Sequence, residues 1–304
     1  MKARYEEVSC NICGSTEMDI IYPAQYEKEA QADLTVKFRS SGDERLIDQV
    51  VQCRKCSLRY INPRLQSDLI VQGYAEGTDE LFVSQEAGRI ITFKRCMEFL
   101  EQHTSQKGKL LDIGTAGGTF LHVAKQHGWD VSGVEPNKWL CDWGNKRYGL
   151  DIKQGTLENN YFPPRSFDVI TVWDVLEHVP DPKKTLLEIN RLLKTNGLLV
   201  VNYPDAGSWI ARAMGRRWVF YLSVHLYYFT PQTIRHMLTL TGYHVLKIKP
   251  HIQTLGLGYL MFRLNAYSQF LSKVGATVAN MLFIDKMQLP YWLGQTLVIA
   301  RKRL

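Results

Sequence analysis

Leu110-Leu111-Asp112-Ile113-Gly114-Thr115-Ala116-Gly117-Gly118-Thr119-Phe120-Leu121 reads as a short buried strand that runs into a glycine-rich turn and then opens a helix. A second strand, Asp130-Val131-Ser132-Gly133-Val134, ends at Glu135, seventeen residues past Gly118. A turn of this kind lets backbone approach a ligand closely, and an acid at the end of the next strand can grip a ribose diol. A dinucleotide fingerprint would need glycines at 114, 116 and 119, but Ala116 and Thr119 stand at two of those places. Asp112, just before the turn, would also repel a pyrophosphate. S-adenosylmethionine has no phosphate and carries a sulfonium and an ammonium, so it is the expected cofactor.

The alternation continues along the chain. Strands are expected near 109–113, 130–134, 151–154, 168–172, 197–202, 244–249 and 295–300, with helices between them, which implies a parallel sheet covered on both faces. Asn196-Gly197 is expected to close a helix over about 182–195. Thr230-Pro231, the stripe Ile234, Met237, Leu238, and then Gly242 mark a second capped helix. Asp112, Gly114 and Gly118 match the acid-x-Gly-x-Gly-x-Gly first motif of the class I S-adenosylmethionine-dependent methyltransferases, which the chain resembles; Ala116 replaces the middle glycine. The fourth strand runs into Leu176-Glu177-His178-Val179 and a Pro180-Asp181-Pro182 turn, similar to the ubiquinone-type and related small-molecule enzymes. The resemblance implies an α/β fold: a seven-stranded Rossmann-like sheet whose last strand is antiparallel and inserted beside the sixth. It implies methyl transfer by in-line displacement at the methyl carbon.

Four of the six cysteines form two knuckles, Cys10-Asn11-Ile12-Cys13 and Cys53-Arg54-Lys55-Cys56. Paired Cys-x2-Cys units can close one tetrahedral Zn²⁺, a structural site with no open position for chemistry. Neither pair opens a helix after a strand as a thioredoxin-like redox site does. The long spacing requires an inserted hairpin or helix between the knuckles. Cys96 and Cys141 fall in helical patterns and read as buried small residues. The chain therefore divides into a zinc-ribbon-like module (1–62), a helical cofactor cover (63–108) and a catalytic domain (109–304) with insertions at 203–229 and 251–293. A bacterial group with such a four-cysteine module, which the chain resembles over nearly its whole length, includes nucleotide-sugar methyltransferases and enzymes associated with cell-surface glycans.

The composition, 45% hydrophobic and 22% charged, is that of a globular protein. No secretory leader opens the chain and no charge-free apolar stretch has the length of a span, so a cytoplasmic location is expected. The net charge of +7 is uneven: residues 205–304 hold 12 Lys/Arg against only Asp205 and Asp285. Such a basic part suits an anionic partner, here a phosphorylated small-molecule acceptor. Nucleic acid is not expected, because the cysteine module is near neutral, with 9 Lys/Arg against 10 Asp/Glu in residues 1–62. An RNA methyltransferase and a non-catalytic protein that kept the fold are the rivals. Calorimetry with S-adenosylmethionine separates the second from an enzyme. Oligomeric state is not legible.

Ligands of open parallel sheets bind at the carboxyl ends of the strands. That rule selects Asp112, Gly114, Ala116, Gly118 and Glu135, with Thr156 and Leu157 against adenine and Trp173 and Asp174 near the methionyl part. His178 and His225 are the candidate bases, since imidazole titrates near neutrality. Arg216, Arg217 and Trp218 join guanidinium groups to an aromatic face, a mixture suited to a phosphorylated or sugar-bearing acceptor. The apolar insertion 251–293 is either a helical lid over the substrate or an amphipathic surface that touches membrane.

Overall fold

The computed structural model describes residues 5–25, 46–159, 162–263 and 268–303. The N-terminal module is built from β1 (Tyr5–Glu6), β2 (Met18–Tyr22), β3 (Val50–Cys53), β4 (Arg59–Ile61) and β5 (Arg64–Leu65). β2 and β3 are antiparallel, with Met18 opposite Cys53. The segment 26–45, where an inserted hairpin or helix was expected between the knuckles, lies outside the described residues.

Three helices follow: α1 (Ser67–Ala75), α2 (Glu80–Val83) and α3 (Glu86–Glu101). The main sheet then forms from β6 (Lys109–Ile113), β7 (Asp130–Glu135), β8 (Ile152–Gln154), β9 (Phe167–Trp173) and β10 (Leu193–Pro204). Helices α4 (Thr119–Gln126), α5 (Lys138–Tyr148) and α6 (Pro182–Leu192) connect them. From Val169 to Trp173 every side chain is buried, which is what a strand covered on both faces requires. The expected end of α6 needs correction. The helix stops at Leu192, and Leu193 already pairs with Phe167 of β9. Asn196, at φ 63°, and Gly197 lie where the ladder shifts register between Leu193 and Leu198. The Asn-Gly signal therefore marks an irregularity at the start of a strand and not a helix cap.

Beyond β10 come α7 (Trp209–Met214), β11 (Tyr227–Tyr228), α8 (Pro231–Leu240) and β12 (Tyr243–Pro250). Thr230 caps α8 through a reciprocal pair of bonds with Thr233. The last part contains β13 (Gln253–Gly256), α9 (Leu257–Arg263), α10 (Gln269–Met281), β14 (Gln288–Tyr291) and β15 (Gln295–Lys302). The sheet order is β12-β15-β10-β9-β6-β7-β8, seven strands with β15 antiparallel between β10 and β12. This is the expected methyltransferase-type sheet.

The cysteine module is not a separate bead. Its sheet is completed by β11 from the 203–229 insertion, with Tyr227 opposite Tyr60 and Tyr228 opposite Arg59. Cys10, Ile12, Val51 and Tyr60 share one apolar core with Leu111, Val172 and Leu199 of the main sheet. Arg64, buried, donates to the Pro180 carbonyl and the Tyr227 hydroxyl. The 251–293 insertion sits on α3, where Thr254 N–H donates to Thr92 Oγ1 at 2.8 Å.

Candidate functional site

A cavity of about 1380 Å³ opens at the carboxyl ends of β6, β7 and β9 and extends under the insertions. Its floor is the glycine turn. Gly114, Ala116 and Gly118 all have left-handed backbone, at φ 65°, 49° and 73°. A Cβ at Gly114 would lie 2.5 Å from Val175, so glycine is required there by packing as well as by backbone. Ala116 adopts the same region at the steric cost an L-residue carries. Its N–H donates to Glu135 Oε2 at 2.8 Å, and Asn137 N–H donates to Oε1 at 2.9 Å. Each carboxylate oxygen keeps a lone pair for a further donor. Burial pushes Glu135 up to about 7. Asp112 is likewise pushed to about 7 by burial, and it accepts from Thr171 Oγ1 at 2.6 Å.

Thr156 and Leu157 line the cavity beside Glu135. The Thr156 hydroxyl is held by Asn159 Oδ1 at 2.7 Å, and Leu157 is buried in the main core. Trp173 packs between Phe93, Phe120 and His251. Asp174 follows with φ 51°, and Asn202 Nδ2 and Gln253 Nε2 donate to its carboxylate. Opposite, on α3, lies Arg89, a residue not singled out in the sequence. Its guanidinium stacks 3.6 Å over the Phe82 ring, and its Nε is buried with no hydrogen-bond partner.

The cavity continues to a cluster of titratable groups. Glu177, His178 and His225 each bring an atom within 4.8 Å of the others. His178 Nδ1 lies 3.0 Å from the Val224 carbonyl and 2.6 Å from the Tyr74 hydroxyl. His225 Nδ1 lies 2.8 Å from the Phe220 carbonyl. A carbonyl only accepts, so both imidazoles carry their proton on Nδ1 and keep a basic Nε2. The rings meet edge to face, 4.6 Å between centroids. Burial drives His178 down to about 4 and His225 well below its ordinary value, the latter helped by His178. Glu177 is 1% exposed, and neither carboxylate oxygen has a partner. Burial, with Asp174 nearby, raises it well above the usual carboxylate range. Glu177 stood in the quoted Leu-Glu-His-Val stretch, but nothing local marked its side chain as an orphan.

Residues 86–248 match the family described as a methyltransferase domain. The chain belongs to it. Among its curated relatives is the ubiquinone biosynthesis O-methyltransferase of Coxiella burnetii (strain Dugway 5J108-111), 29% identical over 134 residues, 41% of this chain and 57% of that protein. The corresponding enzyme of Methylococcus capsulatus is 31% identical over 108 residues, 33% of this chain and 46% of that protein. The chain thus spans about half the length of the curated relatives it matches. A solved S-adenosylmethionine-dependent methyltransferase from Archaeoglobus fulgidus superposes with a TM-score of 0.51 at 19% identity, over 74% of this chain and all (100%) of that one. That likeness concerns the fold.

In this member of the family the two arginines and the tryptophan of the 203–229 insertion lie on the cavity wall. Arg216 donates to the carbonyls of Pro23 (2.8 Å) and Leu46 (3.2 Å) and sits over Tyr22, so its guanidinium ties the insertion to the cysteine module. Trp218 is 1% exposed, with its indole N–H given to the Leu293 carbonyl at 2.7 Å. On the far side of the module, Cys10, Cys13, Cys53 and Cys56 converge, with Sγ–Sγ distances of 3.3 Å (Cys10–Cys56) and 3.5 Å (Cys13–Cys53). Tetrahedral Zn–S bonds of about 2.3 Å put sulfurs about 3.8 Å apart, so the set fits one zinc after a small expansion. Gly14 and Ser57 close the two knuckles at φ 71° and 62°, each donating to the first cysteine's carbonyl.

Proposed function

We propose that the chain transfers a methyl group from S-adenosylmethionine to a small anionic acceptor, such as a nucleotide sugar or a cell-surface glycan precursor. The observation that carries this reading is one continuous cavity. It joins the glycine turn and Glu135 to the orphaned Glu177 carboxyl and two imidazoles. Bound there, the cofactor would supply an electrophilic methyl on a sulfonium. Glu135 would accept from the ribose hydroxyls, and Thr156 and Leu157 would flank adenine. Asp174, steadied by Asn202 and Gln253, would face the ammonium. The buried Arg89 Nε, which has no hydrogen-bond partner, would meet the carboxylate.

The protein's main contribution is alignment of acceptor and methyl donor. Where the acceptor is a hydroxyl, it must lose a proton, and the similarity to O-methyltransferases supports an oxygen atom. His225 or His178 would receive that proton on Nε2, and Glu177, once ionised, would stabilise the imidazolium. The four cysteines would hold a structural zinc, which closes the module and takes no part in chemistry.

The test is a screen of nucleotide sugars and phosphorylated glycan precursors with radiolabelled methyl donor, alongside Arg217→Ala and the same acceptor stripped of phosphate. Both changes should raise KM and leave cofactor affinity intact. Turnover of an uncharged acceptor with equal efficiency would sink the anionic reading. No cofactor binding at all would sink the enzyme.

A further inference from the structure

Helix α10 is built inside out. Among its described side chains, the buried or half-buried positions are small: Ser272, Gly275, Ala276 and Ala279. Gly275 faces α9, where a Cβ would lie 2.5 Å from Met261 Sδ and make that side chain shift. Among the described side chains of the helix, the large apolar ones point away from the protein. Phe270 is 74% exposed, Met281 75%, Val274 45% and Val278 48%. Spaced by four and three, they form one stripe along about 17 Å of helix. The stripe continues past the helix end into Leu282 and Phe283, the latter 91% exposed, and to Met287. A monomer rarely leaves so much contiguous apolar surface bare without a use for it.

Charge identifies the occupant. Lys273, on the edge of the stripe, and Lys286, beside its distal end, are exposed. Asp285 is the only acidic residue between 251 and 303. In a two-fold pairing of two copies these lysines would face like charge across a dry contact. Anionic lipid headgroups would answer them while the aromatic and aliphatic side chains enter the acyl boundary. No described helix is long and apolar enough to cross a membrane, which leaves a helix lying in the interface plane.

We infer that α10 and the following turn to Met287 form a docking surface for an anionic bilayer. The inner helix α9, with Tyr259, Leu260, Met261 and Arg263 on the cavity wall, covers the site beneath. The insertion thus serves as lid on one side and lipid contact on the other. This rests on the surface alone and stands whether or not the proposed acceptor is right.

The experiment is flotation of the whole 304-residue chain, without cofactor or acceptor, with vesicles of phosphatidylcholine alone or with a third of phosphatidylglycerol. The chain should float with the anionic vesicles and much less with the neutral ones. Phe270→Ser with Phe283→Ser, both at exposed positions, should cut the bound fraction at least about tenfold without changing cofactor affinity. Lys273→Glu with Lys286→Glu should erase the preference for anionic lipid. Absence of flotation with both vesicles, or binding that both double variants leave untouched, overturns the inference. So does a dimer in sizing columns that the phenylalanine variant dissociates while vesicles bind nothing, which would make the stripe a contact between copies.

Discussion

Along one wall of the cavity, the functional atoms hang on nearly consecutive backbone: Ile113 to Gly118, then Glu135 gripping the Ala116 amide. On the facing wall they arrive from far apart. Tyr74 comes from α1, Glu177 and His178 from the end of β9, and His225 from the insertion, with Val224 and Tyr74 both reaching the same imidazole nitrogen. The first wall is set by turn geometry and has no room for a Cβ at Gly114. The second is set by long-range packing and by the cysteine module, whose sheet is joined to the His225 segment through β11. Damage to one wall should therefore spare the other, and each variant below is a way to break that independence.

The largest effect is expected from Gly114→Val. The new Cβ would start 2.5 Å from Val175 and force a β-branched residue to φ 65°. Calorimetry should detect no S-adenosylmethionine binding, while the metal content of the module stays unchanged. Wild-type affinity in this variant would mean the turn is not the site.

Cys53→Ser attacks the other wall. Elemental analysis of the parent should give about one zinc per chain, and the variant should lose it along with the several kcal/mol a structural site contributes to folding. Because β4 and β11 pair, the His225 segment should loosen too, so hydrogen exchange should rise at Tyr227 and Tyr228 but not at β6. A folded, reduced parent without metal would refute the zinc assignment.

How much of this was legible follows the same division. The seven strands could be read because burial on both faces leaves runs such as Val169-Ile170-Thr171-Val172, and the turn because its glycines are consecutive with its strand. The cysteine knuckles announce themselves by spacing. Arg89, Glu177 and the tether from Arg216 to Pro23 and Leu46 could not be read. Their meaning lies in what other segments bring or fail to bring, 48 residues away for Glu177 and His225 and 193 for Arg216 and Pro23, and local periodicity carries none of that. Asn196-Gly197 misled for the opposite reason: its turn chemistry is local, but β9 pairing had already ended the helix.

Glu135→Ala sharpens the first wall. Each charged hydrogen bond to a ribose hydroxyl is worth about 1.5–3 kcal/mol, so affinity should fall by roughly 10- to 150-fold. Part of the loss would come from the freed Ala116 amide, and Glu135→Gln, which keeps an acceptor oxygen, should recover some of it. Unchanged affinity in both variants would move the ribose elsewhere.

The smallest expected effect is that of pH on the same carboxyl. Burial raises Glu135 from an ordinary 4.5 and Asp112 from 3.8, both to about 7, in the cofactor-free protein. A raised acid favours the folded state below its unfolded pKa, and that contribution is lost as pH rises through the folded value. The free protein should therefore lose thermal stability between about pH 4 and 7, with little further change above. Cofactor binding should run the other way, because only ionised Glu135 accepts strongly from both hydroxyls. Affinity should rise by up to about tenfold between pH 6 and 8, the limit for one group titrating near the middle of that range. Glu135→Gln should flatten the rise and leave the Asp112 part of the stability loss in place. A parent whose affinity is level across this range would show that Glu135 is already ionised at pH 6, or that the ribose does not depend on its charge.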